Sequence, residues 1–132
     1  MSREAIICVD DEAVILLAMK QELKRRFGSR YLIETALDAS EAGAVIAELD
    51  ESGIKTALVI TDWFMPGIRG DQFLVELLAR RPEIKSILIT GNADDETVEK
   101  ARGIPSVCAC LRKPWRPEDL AAAIESSFAP KP

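Results

Sequence analysis

The sequence predicts an α/β domain in which helices cover both faces of a parallel sheet. Short apolar runs alternate with stretches whose apolar residues recur at helical spacing, the pattern of βα units. Four of the five predicted strands are continuously apolar, as expected for strands buried on both faces. The exception is Tyr31–Ala36, where Glu34 interrupts the pattern, so we expect an edge strand there.

Length and composition set the domain organisation. The chain has 132 residues and is 48% hydrophobic, which suffices for one domain with its own core. We assign residues 1–128 to that domain and 129–132 to a tail or the start of a linker. The predicted strands cover residues 5–9, 31–36, 57–61, 86–89 and 107–112.

Five helices follow from periodicity and from the residues that begin or end them. The first should run from about Glu12 to Phe27, where Gly28 ends it. The third follows Gly70, and the fifth opens at Pro117, a residue favoured in a first turn. The fourth helix should begin at Asp94-Asp95-Glu96 and end at Gly103 and Pro105, and Pro82 should stop the third. The residues expected to face the core are Leu16, Met19 and Leu23 in the first helix; Ala39, Ala42, Ile46 and Leu49 in the second; Phe73, Leu74, Leu77 and Leu78 in the third; and Leu120, Ile124 and Phe128 in the fifth.

The charge and residue usage exclude several classes of function. Seventeen basic and 22 acidic residues leave a net charge of −5, which disfavours binding to nucleic acid or to an anionic membrane. The longest apolar stretch, residues 13–19, is too short to span a bilayer, and no basic-plus-apolar leader precedes Asp10. We therefore expect a soluble cytoplasmic protein whose three cysteines are reduced. The absence of histidine removes imidazole metal sites, Ser/His/Asp catalysis and a self-supplied phosphohistidine.

Polar side chains follow four of the predicted strands. Asp10 and Asp11 follow the first strand, Asp62 the third, Thr90 the fourth and Lys113 the fifth. If these strands are parallel neighbours, three carboxylates, a hydroxyl and an ammonium meet at one edge of the sheet. That set, in that order and with Pro114 after the lysine, closely resembles the receiver domain of two-component response regulators.

The resemblance covers the chain from about Glu4 to Phe128 and implies a specific fold and function. The fold would be a flavodoxin-like, doubly wound three-layer sandwich with a five-stranded sheet of order 2-1-3-4-5. The function would be that of a signalling domain, not an enzyme with a separate substrate. Asp62 would take a phosphoryl group from a sensor histidine kinase or phosphotransfer protein, and this would switch contacts with a downstream effector protein or output domain. The chain would be a monomer or a phosphorylation-dependent dimer.

The acidic residues predict a magnesium site. At an effective dielectric near 20, each close pair of carboxylates costs about 4 kcal/mol, so a divalent cation is expected among them. All-oxygen ligands favour Mg²⁺. The resemblance implies that Asp11 and Asp62 bind it directly, Asp10 mainly through water, and Phe64 through its backbone carbonyl. Taken alone, Asp10 and Asp11 would equally suit capping of the first helix.

The resemblance also assigns the remaining site residues. Lys113 would contact the phosphoryl group, and its peptide bond to Pro114 would be cis. Thr90 would supply the hydroxyl that bonds a phosphoryl oxygen and switches the conformation of its loop. The aromatic residue that the family usually has three positions before the lysine is replaced by Cys110, so we expect output through the fourth helix and the surface of strands 4 and 5 and helix 5. Phe64 and Asn92 occupy positions that influence water access, and the bulk of Phe64 predicts slow dephosphorylation.

Three alternatives remain at this point. A Mg²⁺-dependent phosphohydrolase with an aspartyl nucleophile would need a general acid where Phe64 stands. A flavin-binding carrier would need a phosphate-binding loop, not Asp10-Asp11-Glu12. A pseudo-receiver would dock without being phosphorylated. The pair Cys108 and Cys110 could hold a metal, although we expect small buried hydrophobes.

Overall fold

The structure, a computed structural model, describes residues 4–65, 67–91 and 95–128. Five strands alternate with five helices along this part of the chain. The strands are β1 (Glu4–Val9), β2 (Tyr31–Ala36), β3 (Thr56–Asp62), β4 (Lys85–Thr90) and β5 (Val107–Arg112). The helices are α1 (Ala13–Phe27), α2 (Ala39–Glu51), α3 (Gly70–Arg80), α4 (Asp95–Arg102) and α5 (Pro117–Phe128).

All neighbouring strands are parallel, and the sheet order is β2-β1-β3-β4-β5. The expected fold, strand order and helix count are therefore confirmed. This topology brings the carboxyl ends of β1, β3, β4 and β5 to one edge of the sheet, where ligands bind in open α/β sheets. It also confirms Tyr31–Ala36 as an edge strand.

Two apolar clusters hold the layers together. One joins α1 and α5 to the first face of the sheet through residues such as Leu23 and Ile124. The other joins α2, α3 and α4 to the opposite face through residues such as Ile46, Phe73 and Ala101. The helical faces expected from periodicity lie in these clusters, except that Leu78 and Phe128 are only partly buried. No helix of the described segments is long and apolar enough to cross a membrane.

Strand β5 departs from the expectation of a continuously buried run. It forms the second edge of the sheet, and its ladder to β4 shifts register between Ser86↔Val107 and Ile87↔Ala109. Cys108 is the extra residue at this bulge, and bulges redirect side chains. Its side chain is exposed, whereas Cys110 is partly buried. The expectation that both thiols are small buried hydrophobes is therefore wrong for Cys108.

The expected start of the fourth helix at Asp94 and the tail at 129–132 lie outside the described residues.

Candidate functional site at the carboxyl edge of the sheet

Three carboxylates lie together where β1 and β3 end. Val9 pairs with Thr61 across the two strands, so the residues that follow, Asp10 and Asp62, are neighbours. Carboxylate oxygens of Asp10, Asp11 and Asp62 all lie within 4.8 Å of one another. Asp10 and Asp62 are buried, with exposed fractions of 2% and 6%, whereas Asp11 is exposed. Two carboxyl groups thus lie below the surface and a third lies at the opening.

The aspartates do not cap α1 in the ordinary way. The N-cap residue of that helix is Glu12, whose side chain makes no capping hydrogen bond. Its backbone N–H donates to Asp10 Oδ1 at 2.9 Å. That bond holds one oxygen of Asp10, while its other oxygen faces the lysine described next.

Lys113 brings the positive charge to this cluster. Its Nζ lies 3.0 Å from Asp62 Oδ2 and 3.2 Å from Asp10 Oδ2. It also lies 3.9 Å from Glu12 Oε1. The backbone N–H of Lys113 donates to the Thr90 carbonyl oxygen at 2.9 Å, and the bond from Lys113 to Pro114 is cis. The end of β5 is therefore tied to the end of β4, with the ammonium directed at the acidic cluster.

The environment of Asp62 makes its ionised form more costly than it is in water. Burial and the nearby charge of Asp10 raise the pKa of the Asp62 carboxyl, while the hydrogen bond from Lys113 opposes this. Burial would lower the pKa of Lys113, but hydrogen bonds to Asp62 and Asp10 outweigh it and raise that pKa. The cost of burying the Asp62 charge thus outweighs the stabilisation that Lys113 gives to it.

The residues present fit a divalent cation. The cluster supplies only oxygen ligands, spaced so that one ion can contact more than one of them. Among the described residues, the cluster places three carboxylates beside the one ammonium of Lys113, so a net negative charge remains when they are ionised. A hard dication such as Mg²⁺ matches both properties, because it prefers carboxylate and carbonyl oxygens and retains waters at the open side.

The remaining residues singled out in the sequence surround this cluster. Thr90 is fully buried at the end of β4, where it pairs with Arg112 of β5. The side chain of Phe64 is 51% exposed, and its backbone N–H donates to the Asp62 carboxylate. Cys110 pairs with Leu88 of β4 and packs on the α4 side of the sheet. Asn92 lies outside the described residues.

Glu12 is the site residue that sequence reasoning missed. Sequence periodicity predicts its place in the first helix but no contact with Lys113, which lies about a hundred residues further along the chain. Its position after two aspartates was the only available signal. The contact depends on the sheet bringing β1 and β5 loops to the same edge.

Comparison with known families decides the classification. The model of the response regulator receiver domain matches residues 6–125. The chain belongs to this family. The receiver domain is the regulatory unit of two-component signalling systems, so the resemblance inferred from the acidic residues, Thr90 and Lys113 is confirmed.

Individual relatives agree with this classification. The chain is 30% identical over 115 residues to the hydrogenase transcriptional regulatory protein HoxA of Cupriavidus necator, covering 87% of this chain and 22% of HoxA. It is 29% identical over 122 residues to the sensor kinase CckA of Brucella abortus, covering 91% of this chain and 12% of CckA. This receiver domain thus spans less than a quarter of either relative.

A solved structure shows the same fold. The CheY-like response regulator receiver domain protein from Methanospirillum hungatei is 30% identical to this chain, with a TM-score of 0.79. The superposition covers 94% of this chain and 92% of that one.

Proposed function

We propose that this receiver domain accepts a phosphoryl group on Asp62 in a Mg²⁺-dependent reaction and thereby switches its contacts with other proteins. The observation that carries the proposal is the position of Lys113 Nζ, 3.0 Å from Asp62 Oδ2 inside a group of three carboxylates. A buried carboxylate that faces a fixed ammonium can act as a nucleophile toward phosphorus while the positive charge stabilises the equatorial oxygens.

The chemistry balances as a simple transfer. A carboxylate oxygen of Asp62 attacks the phosphorus of a phosphohistidine on a partner kinase or phosphotransfer protein. The bond from phosphorus to the histidine nitrogen breaks, and the nitrogen keeps the electron pair. Catalysis is then mainly positioning and electrostatic stabilisation. These 132 residues include no histidine, so the phosphohistidine must lie outside them.

Each site residue has a distinct proposed role. Asp10, Asp11, Asp62 and the backbone carbonyl of Phe64 would hold Mg²⁺, which neutralises charge on the transferring group. Lys113 would contact a phosphoryl oxygen, and its raised pKa keeps it protonated at neutral pH. Thr90 would donate its hydroxyl to the phosphoryl group from the end of the neighbouring strand. These assignments extend the family's properties to the matching positions of this chain.

Output is proposed to leave through the α4–β5–α5 side of the domain. Cys110 replaces the aromatic residue that the family usually carries, and a thiol cannot sweep the same volume. Cys110 nevertheless pairs with Leu88 and packs against the apolar cluster that includes Ala101 of α4, so a shift at the end of β4 can reach that helix. On adding a phosphate mimic, we expect chemical-shift changes to reach β5 and α5; changes confined to the acidic cluster would contradict this route.

The domain is proposed to act in the cytoplasm, as a monomer or a phosphorylation-dependent dimer. Its partners would be a sensor histidine kinase or phosphotransfer protein and a downstream effector or output domain. The relatives that it resembles are a transcriptional regulator and a sensor kinase.

The decisive experiment is the intact mass of the chain after incubation with acetyl phosphate and Mg²⁺. We expect the wild type to gain one phosphoryl group and Asp62→Asn to gain none. Asp119→Asn, which removes an exposed carboxylate in the first turn of α5, should behave like the wild type. An unmodified wild type would favour a pseudo-receiver, and a phosphorylated Asp62→Asn would refute the assignment of the acceptor.

A further inference from the structure

We infer that Glu12 is a positioning residue that acts through Lys113 and strengthens the binding of a divalent cation at the acidic site. The inference rests on the proposed function, because it concerns the cation site that phosphorylation would use. It assigns a role to a side chain that belongs neither to the metal-binding group nor to the phosphoryl-contacting set.

The geometry of Glu12 indicates that its carboxylate does not serve the helix. Glu12 occupies the N-cap position of α1, where short side chains such as Ser or Asp usually accept a backbone N–H. Its side chain makes no such bond. Instead Oε1 lies 3.9 Å from Lys113 Nζ. The side chain of Glu12 is 62% exposed and that of Lys113 is 21% exposed, so the ammonium lies between buried carboxylates below and Glu12 above.

The charges explain what this contact can do. Lys113 contacts Asp62, Asp10 and Glu12. Asp62 and Asp10 belong to the oxygen cluster that would serve a cation, whereas Glu12 does not. An ammonium beside a dication is unfavourable because like charges repel. Of the carboxylates paired with Lys113 in the described chain, only that of Glu12 lies outside the oxygen cluster that would bind the cation. The attraction between Glu12 and the ammonium therefore offsets this repulsion.

A simpler electrostatic effect must be separated from this one. Glu12 is negative and close to the site, so its charge could attract a cation without any involvement of Lys113. A double-mutant cycle distinguishes the two cases, because an effect that acts through Lys113 disappears when Lys113 is removed. A direct effect persists in both backgrounds.

The test is a Mg²⁺ titration of the full chain followed by tryptophan fluorescence. Trp63 directly follows Asp62 and Trp115 lies two residues after Lys113, so both indoles report on the site without any phosphoryl transfer. We expect Glu12→Gln to weaken Mg²⁺ binding about two- to fivefold, the range of a partly exposed ion pair. Lys113→Met should strengthen binding, and Glu12→Gln should then cause no further change. Lys113→Gln provides a second background if the methionine variant does not fold.

Glu41→Gln is the matched control for the general charge effect. Glu41 lies in the first turn of α2, which begins at the same edge of the sheet, and it has no ion pair with Lys113. We expect its Mg²⁺ affinity to match the wild type. Equal effects of Glu12→Gln with and without Lys113, or no effect at all on a wild type that binds Mg²⁺, would overturn the inference. A wild type that does not bind Mg²⁺ would overturn the proposed cation site itself, and the role of Glu12 with it.

Discussion

The backbone N–H of Gly70 donates a hydrogen bond of 2.7 Å to the carbonyl oxygen of Trp63. The first residue of α3 thereby closes the loop that follows Asp62. The approach is so close that a Cβ on Gly70 would overlap the carbonyl oxygen of Asp62 and lie 3.1 Å from the Trp63 Cα. The loop has a second glycine with a different role, since Gly67 adopts a positive φ of 87°.

Gly70→Ala should therefore destabilise the domain. The added methyl group meets backbone that cannot move aside without shifting Asp62, so we expect a loss of about 1–3 kcal/mol in the free energy of unfolding. Urea denaturation measures this loss. Gly43→Ala is the control, because Gly43 lies within α2 with nothing near its Cβ position. That variant should gain about 0.5–1 kcal/mol, and equal effects at both positions would contradict the steric argument.

Asp62→Asn should raise the melting temperature by a few degrees at pH 7 without divalent cations. Burial and the charge of Asp10 raise the pKa of Asp62 in the folded state, so the fold disfavours the ionised carboxyl. The Asp62 carboxyl therefore keeps its proton to higher pH in the folded state than in the unfolded state. Stability therefore falls as pH rises from the ordinary value of 3.8 to the raised pKa, and it stays lower above it.

Asparagine carries no charge to bury, so the difference in melting temperature between the variant and the wild type should narrow as pH falls toward 4. Thermal unfolding followed by circular dichroism at several pH values measures it. Mg²⁺ should stabilise the wild type more than the variant. Glu48→Gln, an exposed change on α2, should show neither effect. A wild type that is more stable than Asp62→Asn throughout would refute the raised pKa.

The three cysteines should react with iodoacetamide in a fixed order. Cys108 is exposed at the β5 bulge, whereas Cys110 is partly buried and burial raises the pKa of its thiol. Burial raises the pKa of Cys8 to about 12, so it lacks the reactive thiolate at pH 8. Peptide mapping should show Cys108 modified first, Cys110 more slowly, and Cys8 only after unfolding. Modification of Cys8 as fast as Cys108 would show that β1 is not buried as described.

Phe64→Asn should shorten the lifetime of the phosphorylated chain severalfold. The bulky apolar side chain of Phe64, two residues after Asp62, hinders the approach of water. The amide of the asparagine that replaces it can hold a water molecule by hydrogen bonding. The measurement is the decay of the phosphorylated mass after the donor is removed. Val75→Asn makes a similar apolar-to-polar change on α3, where the side chain is 54% exposed, and should leave the decay unchanged. An unchanged lifetime in Phe64→Asn would remove Phe64 from the control of hydrolysis.

Much of this architecture was predictable because its signals are local. Periodicity along the chain identified the helical faces, and continuous apolar runs identified the buried strands. Polar residues at the strand ends then indicated the site, since parallel strands place their carboxyl ends at one edge. The order Asp10-Asp11, Asp62, Thr90, Lys113 carried the family resemblance.

The details that failed depend on contacts between distant segments. Cys108 lies within a continuous apolar run that predicts a buried strand, yet the register shift against Ser86 and Ile87 turns it to the surface. Hydrophobicity along β5 contains no signal for that shift, because it arises from pairing with another strand.

The order of elements, the edge at which they converge and the chemical types that meet there were readable from the amino-acid sequence, because each of these follows from short-range pattern and chain direction. The way the charges are shared becomes visible in the folded chain alone: Lys113 contacts Glu12 as well as two buried aspartates, and Asp62 holds its proton more tightly than usual. Distances across the sheet and depth below the surface set both, and neither quantity exists until the chain is folded.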